Sequence, residues 1–112
     1  MKKIDTDIIR LKDIVSAIND ISEFCKSGIE DRKTIMAIAY SIAIIGEAAS
    51  KLSVKITERY DDIPWRQIIG MRHRIIHDYG SVDVENLKQV VISDLPILKP
   101  KIEAILIDIS QK

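Results

Sequence analysis

Cysteine occurs once in the 112 residues, at Cys25, so no disulfide can close within the chain. Net charge is also missing. Seventeen Lys and Arg balance seventeen Asp and Glu, so bulk charge does not argue for a nucleic-acid partner and only a local patch could do so. No apolar run approaches the roughly 20 residues of a bilayer span. The opening Met-Lys-Lys-Ile-Asp lacks the apolar core of a secretory signal. A cytoplasmic, reducing setting without a membrane is therefore expected, with Cys25 a small core residue near a helix end. Four glycines and three prolines leave no stretch that reads as a linker, and there is no internal repeat or low-complexity tract. One domain over residues 1–112 follows, large enough to bury about two-thirds of its unfolded surface.

What is present is helical patterning. Ile8, Leu11, Val15, Ile18, Ile21 and Cys25 step by three and four, predicting one apolar stripe on a helix over roughly residues 5 to 26. Asp5 or Asp7 can cap its start, and Gly28 follows its end. A second helix from near Asp31 is apolar almost all round between Ile35 and Leu52, as in the middle of a bundle or at a subunit contact. Its alanines and Gly46 permit close helix approach. Ser53 to Tyr60 reads as a short capped turn. Asp61-Asp62-Ile63-Pro64 is a start signal with proline at the first helical position, predicting a third long helix from Pro64 to Tyr79. Gly80-Ser81 ends it, and Asp83 caps a helix carrying Val84, Leu87, Val90, Val91 and Leu95. Pro96 and Pro100 are expected to interrupt that helix, leaving Ile97 to Ile109 separate or kinked. No stretch alternates as a strand. The fold class is all-α, a four- to five-helix antiparallel bundle. The apolar excess of the second helix suggests a homodimer, twofold symmetry being the commonest closed arrangement.

Both histidines of the chain lie in the octet Arg-His-Arg-Ile-Ile-His-Asp-Tyr at 72–79. Arg72, His77 and Tyr79 form the pattern Arg-x4-His-x-Tyr, and no acid falls between Arg66 and Asp78. A proton-transfer group beside fixed positive charge suits a phosphodiester. On a regular helix Arg72 and His77 differ by about 140° in azimuth, so they converge only across a groove or a twofold axis. His73 and His77 would share a face. Ile69, Ile75 and Ile76 would point to the core, with the basic residues outward or at an interface.

Four readings compete for His77. It can be a partly buried histidine satisfied by a carbonyl near a helix end. It can bind metal with His73, given Asp78 or Glu47 as further ligands, although the arginines repel a cation. It can belong to a phosphate or nucleic-acid site without catalysis. In the fourth, it takes the proton of a ribose 2′-hydroxyl, whose oxygen attacks the adjacent phosphorus and leaves a 2′,3′-cyclic phosphate. Arg72 would then hold the non-bridging oxygens, and no metal or other cofactor is required. The 2′-hydroxyl would restrict the site to RNA. The leaving-group acid stays open among a second subunit's His77, Tyr79 and water. Tyr79 by itself reads as a half-buried ring at a helix end, and Trp65 as a core anchor. Glu47, within the apolar stretch, needs a partner if buried, and Arg72 or Arg74 is a candidate.

Several segments carry a resemblance to a known family. They are Ile-Ile-Gly-Glu-Ala-Ala-Ser-Lys-Leu-Ser (44–53), Ile-Pro-Trp-Arg-Gln-Ile-Ile-Gly-Met-Arg (63–72), Ile-Ile-His-Asp-Tyr (75–79), Val-Asp (82–83) and Asp-Leu-Pro (94–96). In this order they resemble the HepT-like branch of the HEPN superfamily over nearly the whole chain. The resemblance implies an all-α HEPN-type bundle that dimerises, bringing two Arg-x4-His motifs to a shared cleft. It implies a metal-independent ribonuclease toxin of a two-gene toxin–antitoxin module, with Arg72 and His77 as the catalytic pair. It implies that a minimal nucleotidyltransferase antitoxin modifies Tyr79 with AMP, adding bulk and negative charge that repel RNA phosphate. His73, Arg74, Asp78 and Glu47 are the expected RNA-contacting or supporting residues. The alternative is a non-catalytic HEPN dimer that binds RNA, nucleotide or a nucleotidyltransferase partner. The chain departs from the family at His73, where Asn is usual, and at Tyr40-Ser41, where many members have Arg-Asn.

Overall fold

A computed structural model describes residues 3–111. The expected all-α bundle forms. Helices α1 (Lys3–Phe24), α2 (Arg32–Ser50) and α7 (Leu95–Ser110) make its body. Short helices α3 (Val54–Arg59), α4 (Trp65–Ile69), α5 (Met71–Ile75) and α6 (Val84–Gln89) complete it. Among the described residues there is no strand, only one isolated antiparallel bridge between Ile76 and Val82.

The stripe of α1 forms with Leu11, Ile14, Ala17, Ile18 and Ile21 buried. It packs against α2 and α7. Ile14, Ile38, Ile42, Ile45 and Ile102 are wholly removed from solvent, each contributing about 2–3 kcal/mol of transfer free energy. Neither Asp5 nor Asp7 caps α1, which already begins at Lys3. Asp7 is buried and instead accepts from the Ser53 amide and hydroxyl, satisfying the start of α3 from another helix. A 3-10 turn, Cys25–Ser27, closes α1, and Gly28 follows at φ 96°. The half-buried Cys25 packs on the core, and burial raises its thiol above the ordinary value.

Asp31 caps α2, accepting from the Thr34 amide at 3.1 Å. By length and composition α2 would suffice to cross a membrane, so the expectation that nothing here approaches a span fails on those criteria. In this fold α2 lies against α1, α4 and α5. Gly46 meets the end of α4. A Cβ there would stand 3.1 Å from the Ile69 carbonyl oxygen and 3.2 Å from that of Ile68. The small residue lets α4 dock directly on α2.

Two expectations about proline are corrected. Pro64 precedes the first helical residue, as the N-cap of α4. The last helix is separate from α6 as expected, but the break precedes Pro96, and α7 contains both Pro96 and Pro100. Between α6 and α7 the chain makes a π turn, Val90–Asp94, with the Leu95 amide bonded to the Val90 carbonyl. A π turn widens the helix, and the widening falls just before Pro96, where a proline ring would crowd the preceding turn. Trp65 is the core anchor expected of it, buried with its indole N–H donating to the Tyr60 carbonyl at 3.1 Å.

Candidate active site

The third long helix does not form as one piece. It is interrupted at Gly70 between α4 and α5, and it ends at Ile75. Ile76 is extended, at φ −106° and ψ 118°, and His77 follows at φ −103° and ψ −171°. The cause is pairing with residues farther along. Ile76 bridges Val82, the His77 amide donates to Ser81 O at 2.8 Å, and the Asp83 amide donates to Ile75 O at 2.7 Å. A 3-10 turn, Asp78–Gly80, reverses the chain between them, with Tyr79 at φ 62° and Gly80 at φ 77°. Residues 76–82 therefore form a pinned loop at the end of α5.

The loop overturns the helical geometry expected of the octet. His73 and His77 do not share a helical face, because only His73 is on α5. Arg72 and His77 are brought together differently. Arg72, from α5, and His77, from the loop, line one solvent-open depression of about 400 Å³ with His73, Ile76 and Asp78. His77 is 51% exposed in its side chain, more open than the partly buried histidine of the first reading. Its Nε2 lies 3.7 Å from Asp83 Oδ2. Among the described residues no three His, Cys, Asp or Glu side chains are grouped to hold a metal ion.

Asp83 was legible only as a helix cap. It does cap α6, its Oδ1 accepting from the Asn86 amide at 3.1 Å and its Oδ2 from the Asn86 side chain at 2.8 Å. The Asn86 amide is the main cause that holds its carboxyl below the ordinary value, aided by the Asn86 side chain and His77 and opposed by desolvation. Its position facing His77 was missed. No spacing marks it, because the approach rests on the Ile76–Val82 bridge and the bond from the Asp83 amide to Ile75 O.

Other expected supporting residues go elsewhere. Arg74 turns to the opposite side and pairs with Asp94 at 3.7 Å, both lining a separate groove of about 330 Å³ beside α7. Glu47 is not buried and does not meet Arg72 or Arg74. Its side chain is 68% exposed and pairs with Lys51 one turn on. It does share a wider groove, about 590 Å³, with Arg72 and His73. Ile69 is not in the core. With Met36 and Tyr40 it is exposed on that groove, while Ile75 is buried and Ile76 half-buried as expected. Tyr79 is fully exposed at 107%, not the half-buried ring of an ordinary helix end.

Comparison with known proteins identifies the family of the chain. The family model described as Ribonuclease HepT-like matches residues 4–105. A Thermococcus cleftensis protein named "Probable ribonuclease HepT" is 38% identical over 98 residues, 83% of this chain and 89% of the relative. Two Methanocaldococcus jannaschii proteins, both named as proposed RNases, are also similar. One is 30% identical over 85% of this chain and 92% of its own length. The other is 32% identical over 91% of this chain and 92% of its own length. No solved structure matches.

Proposed function

This chain belongs to the ribonuclease HepT-like family, and from that premise we propose that it is a metal-independent endoribonuclease whose catalytic pair is Arg72 and His77. The observation that carries the reading is their common depression, open to solvent on the surface of the bundle. His77 takes the proton from a ribose 2′-hydroxyl, and histidine suits this because its ordinary pKa lies near neutrality. The freed oxygen attacks the neighbouring phosphorus. The bond to the 5′-oxygen of the next nucleotide breaks, leaving a 2′,3′-cyclic phosphate. Arg72 holds the non-bridging oxygens and stabilises the charge that builds on them. A proton must still reach the departing 5′-oxygen, from water or from a second copy of the site.

Two finer elements belong to the same proposal. The chain acts as a homodimer, for which the exposed Met36, Tyr40 and Ile69 beside Arg72 and His73 are the supporting surface. It is the toxin of a pair, silenced when a minimal nucleotidyltransferase antitoxin attaches AMP to Tyr79. Full exposure of that ring at the tip of a turn supports the modification, and an added phosphate there would repel RNA.

The test is cleavage of cellular RNA with EDTA present. Activity that survives chelation and disappears in His77→Ala and Arg72→Ala supports the proposal. RNA binding without cleavage would replace it with the binding module, and dependence on added metal would contradict it. Incubation with the partner enzyme and ATP should add mass at Tyr79, and addition at another residue refutes the switch.

A further inference from the structure

We infer that Asp83 is a positioning residue for His77, holding the imidazole with Nε2 turned toward it and leaving Nδ1 as the nitrogen that exchanges protons in the cleft. The inference rests on the reading of His77 as the proton-transfer group, but its geometric half stands independently.

Three features make Asp83 a fixed point. Its backbone amide is tied to Ile75 O at 2.7 Å, at the end of α5. Its carboxylate is held by the first turn of α6 through the Asn86 amide and side chain. The loop between His77 and Asp83 is closed by the Ile76–Val82 bridge and by the bond from the His77 amide to Ser81 O. The backbones of the two residues are thus set by one small network. Their side chains face each other with Oδ2 and Nε2 3.7 Å apart. Helix capping alone needs Asp83 to accept from Asn86. It does not need the carboxylate to face a histidine.

The chemical consequence concerns the tautomer. A neutral imidazole has one N–H donor and one acceptor nitrogen. A carboxylate 3.7 Å from Nε2 favours the proton there by charge attraction, at a separation longer than a hydrogen bond. Nδ1 then carries the lone pair needed to receive a hydroxyl proton. When His77 takes up the hydroxyl proton on Nδ1, its Nε2–H still faces the Asp83 carboxylate. Asp83 is ionised wherever histidine changes charge, because its carboxyl sits below the ordinary carboxylate value. The other charged groups on the depression, Arg72 and Asp78, are not in ion contact with Nε2.

The experiment uses Asp83→Asn and Asp83→Ser. Both residues are good helix caps, so either can maintain the start of α6 while removing the charge. The expected result is a thermal midpoint close to wild type, with kcat on RNA lowered by about tenfold or more and KM little changed. Nitrogen-15 NMR of the imidazole provides the second readout. Wild type should show the Nε2–H form of His77, and Asp83→Asn should show a mixture. Asp83→Glu, keeping the charge, should recover part of both.

The proposal is overturned if Asp83→Asn keeps wild-type kcat, or if wild-type His77 is protonated on Nδ1. It is also overturned if the tautomer ratio is the same with and without the carboxylate. If wild-type protein cleaves no RNA at all, the ribonuclease reading fails instead. The NMR comparison then still decides whether Asp83 sets the tautomer.

Discussion

Gly46 of α2 lies beneath the Ile69 carbonyl of α4, so close that a Cβ would stand 3.1 Å from that oxygen. The contact sets how deeply α4 seats on α2. Arg72 begins three residues later, so the depth of seating also sets where the guanidinium starts. Alanine would recover about 1 kcal/mol of helix preference against crowding of about 1–3 kcal/mol, because both opposing atoms are backbone carbonyl oxygens. Thermal denaturation should rank wild type above Gly46→Ala and both well above Gly46→Val, the last losing about 2–3 kcal/mol. An equally stable valine variant would show that α4 is not seated by this contact.

Asp7 joins the ends of distant segments in the same way. Its Oδ1 accepts from the Ser53 amide at 2.9 Å and its Oδ2 from the Ser53 hydroxyl at 2.6 Å. With Asp7 only 4% exposed, removing it takes the partner from the part-buried Ser53 amide and hydroxyl. Asp7→Ala should therefore cost about 2–3 kcal/mol in urea unfolding. Asp7→Asn, which keeps one acceptor oxygen, should cost less. Equal losses in the two variants would mean that packing, not hydrogen bonding, matters at this site.

Tyr79 occupies the left-handed region at φ 62° with its ring entirely in solvent. That conformation costs a non-glycine residue about 1–2 kcal/mol, and no packing of the ring offsets it. Glycine removes this cost but gains more freedom when unfolded, about 0.5–1 kcal/mol. Tyr79→Gly should thus be as stable as wild type or more stable by up to about 1.5 kcal/mol, measured by chemical denaturation. A clear loss would reveal a structural role for the ring.

Acid should loosen the base of the same loop. The Asp83 carboxyl is lowered in the folded chain, chiefly by the Asn86 amide. Its contribution is therefore complete above the ordinary carboxylate value of about 4 and is lost as pH falls through the lower folded value. Amide exchange at Asn86 should remain protected near pH 5 and accelerate, beyond the intrinsic pH trend, below about pH 4. In Asp83→Asn that acid-dependent step should be missing. Its survival in the variant would assign it to another group.

Much of the scaffold was legible because its causes are local. The three-and-four spacing in α1, the start of α2 near Asp31 and the cap at Asp83 each report on a few adjacent residues, and all three form. The end of α5 was not legible, because Ile76 leaves the helix to pair with Val82, and the spacing within the octet carries no trace of that partner. The prolines misled for a related reason. The rule that proline breaks a helix is local, but the π turn ahead of Pro96 changes the backbone to which it applies. Glu47 misled through its neighbours. The apolar stretch suggested burial, yet Met36 and Tyr40 on the same side are exposed too. In the candidate site the residue types were legible, while the orientation of Arg74 toward Asp94 and the approach of Asp83 to His77 depend on tertiary placement.

The most direct test of the account is the chemistry of the cut RNA ends. An RNA cleaved by the wild-type protein should be compared with the same RNA carrying 2′-O-methyl groups throughout, and the products analysed by mass spectrometry. The account predicts 2′,3′-cyclic phosphate ends on the unmodified RNA, no cleavage of the methylated RNA, and at least about a 100-fold loss of rate in His77→Ala. Cleavage of the methylated RNA, or 3′-hydroxyl ends on the products, would contradict it.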